Sequence, residues 1–147
     1  MNESIKAVHL THPDGTHSDV SAFGADVTAR AVAFHRSLPD YEPTPLADLR
    51  RLAEGLGLGR LAVKDESKRF GLNAFKGLGT SYAVARYLAQ YLDIPESEMT
   101  YENLQKPEYR ERLRTLTLVT ATDGNHGRGI AWAAKLFGLF AHVFMPK

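Results

Sequence analysis

The chain of 147 residues carries 18 Lys and Arg against 17 Asp and Glu, a formal net charge of +1, and it contains no cysteine. The lack of cysteine excludes disulfides, thiolate nucleophiles and thiolate-based metal sites. The near-neutral charge, without a basic run, offers no electrostatic footprint for nucleic acid or anionic lipid. No apolar run approaches the roughly 18 residues needed to cross a bilayer. We therefore expect a cytoplasmic protein with no membrane or nucleic-acid partner.

The first half of the chain is predicted to hold two helices and a strand. Residues 22–38 have apolar side chains at helical spacing, and Pro39 ends that helix. Thr44-Pro45 predicts the start of a second helix, because proline suits the first helical position after a threonine cap. The apolar stripe of this second helix would be Leu46, Leu49, Leu52, Ala53 and Leu56. Residues 61–63 form a short apolar run typical of a buried strand.

The second half alternates helices with strands. Residues 75–92 predict a long helix, residues 93–114 a surface excursion of short helices, and residues 116–120 a strand. Residues 124–136 predict a helix that stops at Gly138, and residues 140–145 a third strand. This order predicts an α/β fold with a parallel open sheet and covering helices. Because a parallel sheet normally continues into its next helix, we expect the α/β region to be truncated after Lys147.

One candidate site lies in residues 64–76, between the first predicted strand and the long helix. Ligands of open α/β sheets bind outside the carboxyl ends of the strands, which marks this loop. Lys76 stands in the first turn of the helix, where the macrodipole disfavours a cation. The same field helps to keep an amine neutral, as a Schiff-base lysine requires. On spacing alone, a solvated lysine at a helix start is the better explanation of Lys76.

A second candidate site lies in residues 122–129, again between a strand and a helix. Asp123 suits a helix N-cap, and Gly124 allows the backbone to approach another group closely. A capped helix start leaves unexplained the polar and small residues that follow, where each glycine costs about 1 kcal/mol relative to alanine. Amides at a helix start suit an anion such as a carboxylate, which favours a functional interpretation. The unexplained residues are Asn125, His126, Gly127 and Gly129.

The two segments together closely resemble the diaminopropionate ammonia-lyase family. Residues 64–76 read KDESKRFGLNAFK, residues 122–129 read TDGNHGRG, and residues 131–134 read AWAA. Thr44-Pro45-Leu46 is similar to the Thr-Pro-Leu segment of the wider fold-type II pyridoxal-phosphate enzymes. The resemblance runs from about residue 41 to Lys147 and implies a fold-type II, tryptophan synthase beta-like fold. Residues 1–40 would then be an N-terminal segment with a helix, and residues 41–147 the first part of a catalytic region.

The resemblance implies a role for each candidate residue. Lys76 would form the Schiff base with pyridoxal phosphate, and Asn125 would hydrogen-bond the 3′-oxygen of this cofactor. The substrate carboxylate would be received by the loop of Thr122, Asp123, Gly124 and His126. Relatives that act on serine, threonine or O-acetylserine usually have a small hydroxyl residue in place of Asp123. An acid at that position implies a second catalytic base.

The implied function of the full-length enzyme is elimination of ammonia from 2,3-diaminopropionate, giving pyruvate and two ammonia, in amino-acid catabolism. Lys76 would serve as the base for the L-isomer and Asp123 for the D-isomer, and the enzyme would be a homodimer. One alternative is a serine/threonine dehydratase-like enzyme, although an acid at 123 would lie unfavourably close to the substrate carboxylate. Another is an inactive fragment or binding module. The family's phosphate-binding loop would lie beyond Lys147, so we expect the isolated chain to be inactive and to bind the cofactor weakly or not at all.

Overall fold

The computed structural model describes residues 19–20, 23–122 and 124–146. Its helices and strands follow one another along the chain and are joined by loops and single-turn 3-10 segments. They are α1 (Ala25–Ser37), β1 (Leu46–Asp48), α2 (Arg50–Gly55), β2 (Ala62–Lys64), α3 (Lys76–Tyr91), α4 (Tyr101–Leu104), α5 (Arg110–Leu113), β3 (Thr117–Ala121), α6 (Asn125–Phe137) and β4 (Phe140–Phe144). No described helix has the length and apolarity of a membrane span.

Strands β3 and β4 form the parallel unit that the sequence predicts. They pair in register from Thr117 with Phe140 to Ala121 with Phe144, and α6 makes the connection between them. Side chains alternate along both strands, so that one face is half-buried beneath α6 and the other is exposed. The predicted α/β class with parallel strands and covering helices is therefore confirmed.

Strand β2 does not join that parallel sheet. It pairs antiparallel with β1, from Leu46 with Lys64 to Asp48 with Ala62, and all six residues are exposed. The predicted buried strand at residues 61–63 is therefore a strand, but an exposed one. β2 lies outside the parallel sheet because it pairs with β1. Strand β1 in turn occupies residues for which the sequence predicts a helix.

The helix predicted to start at Thr44-Pro45 is wrong, since α2 begins only at Arg50. The amide of Asp65 donates to the carbonyl of Pro45 at 2.9 Å, which extends the β1–β2 pairing to these residues. The Thr44 hydroxyl contacts Glu66 and Arg69 instead of capping a helix. In the predicted apolar stripe only Ala53 is buried, and Leu52 and Leu56 are 50% and 60% exposed.

The core lies where α1, α3 and α6 meet. Phe34, Leu88 and Phe137 are each at most 2% exposed, and they come from these three helices. The apolar sides predicted for α1 and α3 are therefore confirmed. Residues 93–114 do form short helices, but they are not only a surface excursion, because Leu104 and Leu113 enter the same core.

Helix α6 ends as the sequence predicts but starts one residue later. Gly138 ends the helix with a left-handed φ of +70°, as expected for a glycine stop. At the start, the N-cap position is Gly124, one residue later than the predicted cap at Asp123. Asp123 itself lies outside the described residues, as do residues 1–18 of the predicted N-terminal segment.

Candidate active site

The two candidate segments are brought together by the packing of α3 against α6. Gly129, in the second turn of α6, lies against the start of α3. A Cβ built on Gly129 would be 3.4 Å from the carbonyl carbon and oxygen of Lys76 and 3.2 Å from Oγ1 of Thr80. The missing side chain therefore allows the backbone of Lys76 to rest on α6.

Close packing also accounts for Gly127, whose Cβ would be 2.8 Å from Cγ1 of Val143 and 2.9 Å from Cγ2 of Thr122. Real Cβ atoms do not approach carbon so closely, so α6 can lie on β4 only with glycine at this position. Gly127 and Gly129 are both buried. The sequence interpretation explained them by amides exposed to an anion, and their packing replaces that explanation.

Lys76 lines a cavity of about 380 Å³ between α3 and α6. Its side chain is exposed, and Nζ lies 4.9 Å from the ring centroid of Phe75. Within the described part of the chain, Lys76 has no ion-pair partner. The cavity is lined by Phe75, Lys76, Gly79, Thr80, Ala83, Val84, His126 and Ile130. Its volume is within the range of about 300–1,000 Å³ typical of small-molecule sites.

His126 is the residue of the second segment that shares this cavity with Lys76. The other candidate residues of this segment that the structure describes do not line the cavity. They are Thr122, Gly124 and Asn125, which precede His126 in the chain after the carboxyl end of β3. Asn125 is exposed as the first residue of α6, and the amide of Thr122 donates to the carbonyl of Phe144 at 2.9 Å. A Cβ on Gly124 would meet no atom within 4 Å, so the predicted close approach has no partner among the described residues.

The segment that leads to Lys76 contains a largely buried ion-pair network that was not predicted from the sequence. Arg69 is 5% exposed, and its Nε donates to Oε2 of Glu66 at 2.8 Å. Its Nη2 donates to Thr44 Oγ1 at 3.0 Å and to Glu66 Oε1 at 3.1 Å. The hydrogen bonds from Arg69 hold the pKa of Glu66 below its ordinary value. The sequence signal for this network was the pair of opposite charges, Glu66 and Arg69, three residues apart in a loop. Their burial could not be predicted, because it depends on Thr44, which is distant in the chain.

His35 links α1 to α3 near the same site. Its Nε2 donates to the carbonyl of Leu78 at 2.9 Å. Its ring is half-buried and lies 5.9 Å from the ring of Tyr82. Burial lowers the pKa of His35, because an imidazolium would lose its hydration there. The first turn of α3 is therefore held by a histidine whose neutral form is favoured by burial.

Comparison of the chain with known proteins shows which proteins it is similar to. The profile of the family described as "Pyridoxal-phosphate dependent enzyme" matches residues 38–147. Diaminopropionate ammonia-lyase of Salmonella typhimurium is 51% identical over 149 aligned residues, which cover 100% of this chain and 37% of that protein. The Escherichia coli K12 protein of the same name is 47% identical over 114 residues, covering 78% of this chain and 28% of its own.

Solved structures of the Escherichia coli enzyme are similar in fold. Its apo form superposes with a TM-score of 0.79 at 42% identity, over 88% of this chain and 34% of that one. The complex with an aminoacrylate-PLP azomethine reaction intermediate gives a TM-score of 0.75 at 40% identity, over 88% of this chain and 31% of that one. The chain thus spans about a third of the length of these relatives.

Proposed function

The chain belongs to the pyridoxal-phosphate dependent enzyme family, and we propose that it is the lysine-bearing part of a diaminopropionate ammonia-lyase. The complete enzyme would convert 2,3-diaminopropionate and one water into pyruvate and two ammonia. The observation that carries the proposal is that Lys76 and His126, from the two candidate segments, line one cavity. The 51% identity to the Salmonella lyase supports the choice of reaction.

The residues of this cavity fit the cofactor. The amine of Lys76 has no described ion-pair partner, so it is available to bond a carbonyl carbon. The exposed ring of Phe75 and the apolar side chains of Val84 and Ile130 offer contact to a planar ring. Lys76 would hold pyridoxal phosphate through its amine, and Asn125 through a hydrogen bond from its side-chain amide. The bound cofactor would supply an electron sink for negative charge at the α-carbon of the substrate.

The protein residues would then bind the substrate and move its protons. Thr122, Gly124 and His126 would donate hydrogen bonds to the substrate carboxylate, from a loop that follows β3 directly. Lys76 would accept the α-proton of the L-isomer at Nζ, and Asp123 that of the D-isomer. The second amine of the substrate would offset the charge of Asp123, which favours diaminopropionate over serine.

The location and assembly of the complete protein are part of the same proposal. We place it in the cytoplasm, in agreement with a composition that contains no cysteine. We expect a homodimer, as the family resemblance implies. Chromatography coupled to light scattering would measure the assembly directly, and a monomeric mass would contradict the dimer.

The proposal is tested by trapping the lysine chemically. The protein that contains this chain is incubated with pyridoxal phosphate, reduced with borohydride and digested for mass spectrometry. Lys76 should carry more label than Lys106, which is also exposed but lies far along the chain in a loop after α4. Lys76→Arg should abolish the excess. Label spread evenly over the lysines would contradict the proposal.

The choice of substrate needs turnover by the protein that contains this chain. We expect a higher kcat/KM on 2,3-diaminopropionate than on serine. The opposite order would replace the lyase by a serine/threonine dehydratase-like enzyme while leaving the cofactor assignment intact.

A further inference from the structure

We infer that Phe70 is a positioning residue whose ring sets the placement of Lys76 relative to α6. The inference rests on the proposed function only in that Lys76 is the residue being placed. Phe70 itself does not line the Lys76 cavity, so its effect would act through its neighbours.

The backbone of Phe70 is held in a conformation that bulky residues rarely adopt. Its φ of +49° and ψ of +23° lie in the left-handed region, and it stands inside the 3-10 turn Arg69–Gly71. Such a residue persists only where the surroundings over-determine it, and such residues cluster at functional sites. The neighbouring Gly71 has a φ of +67° and adopts it freely. The unfavourable backbone at Phe70 therefore implies that its ring is needed where it lies.

The ring of Phe70 fills the space between the start of α3 and the middle of α6. It stacks on Trp132 of α6 with the ring centroids 4.5 Å apart and the planes at 22°. A Cβ built on Gly77 would be 2.9 Å from Cδ1 of Leu72, 3.3 Å from Cδ2 of Phe70 and 3.5 Å from Cζ3 of Trp132. Because Gly77 follows Lys76 directly, the backbone that carries Lys76 rests on this aromatic pair together with Leu72.

The ring of Phe70 also lies next to the Arg69–Glu66 network. The Arg69 guanidinium lies 5.7 Å from the centroid of Phe70 and 5.4 Å from that of Tyr41. Arg69 is fixed in turn by its bonds to Glu66. The contacts thus run without a break from the buried ion pair through Phe70 to Gly77 and Trp132.

The test compares Phe70→Leu with Tyr101→Leu in the whole 147-residue chain. Tyr101 is a matched control, because its partly buried ring also packs on α6, 6.4 Å from Phe137 near the other end of that helix. Amide hydrogen exchange over residues 76–80 reports the start of α3. The emission of Trp132, the chain's single tryptophan, reports the stack. Reductive labelling with pyridoxal phosphate, carried out on the protein that contains this chain, gives the ratio of Lys76 to Lys106.

Phe70→Leu should speed exchange over residues 76–80 by about three- to tenfold, the loss of one aromatic pair. It should also shift the Trp132 emission and lower the Lys76 to Lys106 ratio. Tyr101→Leu should leave the ratio and the emission as in the wild type. If Phe70→Leu does not fold, Trp132→Phe keeps a smaller stack and should change exchange and labelling in the same direction, but less.

Wild-type exchange over residues 76–80 in Phe70→Leu would overturn the inference, whatever the labelling shows. Faster exchange with the wild-type preference for Lys76 retained would also overturn it. Equal effects of the two Leu variants would reduce Phe70 to a general packing residue and refute a positioning role. Even labelling of all lysines in the wild-type protein that contains this chain would instead refute the proposed function, and exchange would still decide the role of Phe70.

Discussion

The carbonyl of Lys76 lies against Gly129, so that a Cβ on residue 129 would be only 3.4 Å from it. This contact joins the first turn of α3 to the second turn of α6, and it brings the lysine segment next to the segment that carries Asn125 and His126. Both residues lie near the start of a helix. A side chain at position 129 would therefore contact the backbone of Lys76 directly.

Alanine at three helical glycines should give a ranked series of stabilities. Gly127→Ala should be the most destabilising, because its Cβ would clash with Val143 and Thr122, and overpacking typically costs about 1–3 kcal/mol. Gly129→Ala should cost less, since its nearest contacts are 3.2–3.4 Å away. Gly79→Ala meets no atom within 4 Å and should stabilise the chain by up to about 1 kcal/mol through helix propensity. Urea denaturation measures all three. Equal midpoints for Gly127→Ala and Gly79→Ala would contradict the packing explanation.

Removing the buried Arg69 should be far more costly than removing an exposed arginine. Arg69→Met leaves Glu66, whose side chain is only 18% exposed, without the hydrogen bonds of Arg69, and a polar group left unsatisfied in this way costs about 1–3 kcal/mol. Arg60→Met is the control, because Arg60 is 66% exposed and its Nε lies 3.7 Å from Asp48. Exposed pairs contribute about 0–1 kcal/mol. The free energy of unfolding of each variant checks the difference, and similar losses would mean that the Arg69 network contributes little.

The same pair predicts an acid limit to stability. Because Arg69 lowers the pKa of Glu66, the stabilisation is fully present above the ordinary glutamate pKa of 4.5 and is lost as the pH falls through the lower folded-state value. Denaturant titrations between pH 7 and pH 3 should show this loss in the wild type. Glu66→Gln should be less stable at pH 7 but flatter across the acid range. An equally steep acid loss in Glu66→Gln would assign it to other groups.

His35 should contribute a separate loss at milder pH. Its folded-state pKa lies below the ordinary 6.5, so the unfolded chain takes up the proton first and stability falls as the pH drops below that value. His35→Gln keeps a donor for the Leu78 carbonyl but cannot titrate. We expect the stability difference between wild type and His35→Gln to shift in favour of the variant between pH 7 and pH 5. A constant difference would show that His35 does not titrate there.

The two-base assignment is tested by Asp123→Asn in the protein that contains this chain. The variant should lose turnover on D-diaminopropionate by about 10²–10⁴-fold, the usual contribution of a general base, and keep most of its turnover on the L-isomer. Steady-state kcat/KM on the separate isomers makes the measurement. If both isomers are impaired equally, Asp123 is not a base specific to one face.

The sequence by itself determined the elements whose signals are local. Helices α3 and α6 and strands β3 and β4 follow from periodicity and from the Gly138 stop, and the alternation of strand, helix and strand determined their parallel pairing. The same local motifs marked Lys76 and His126 as candidate site residues. Contacts between distant residues are what tertiary structure alone decided. β1 pairs with β2 where a helix is predicted, and Arg69 is buried by Thr44 and Glu66. Gly127 and Gly129 are glycines because Val143 and Lys76 lie against them. No local pattern encodes such pairings, because backbone pairing, charge burial and close approach each depend on the partner that the fold brings near.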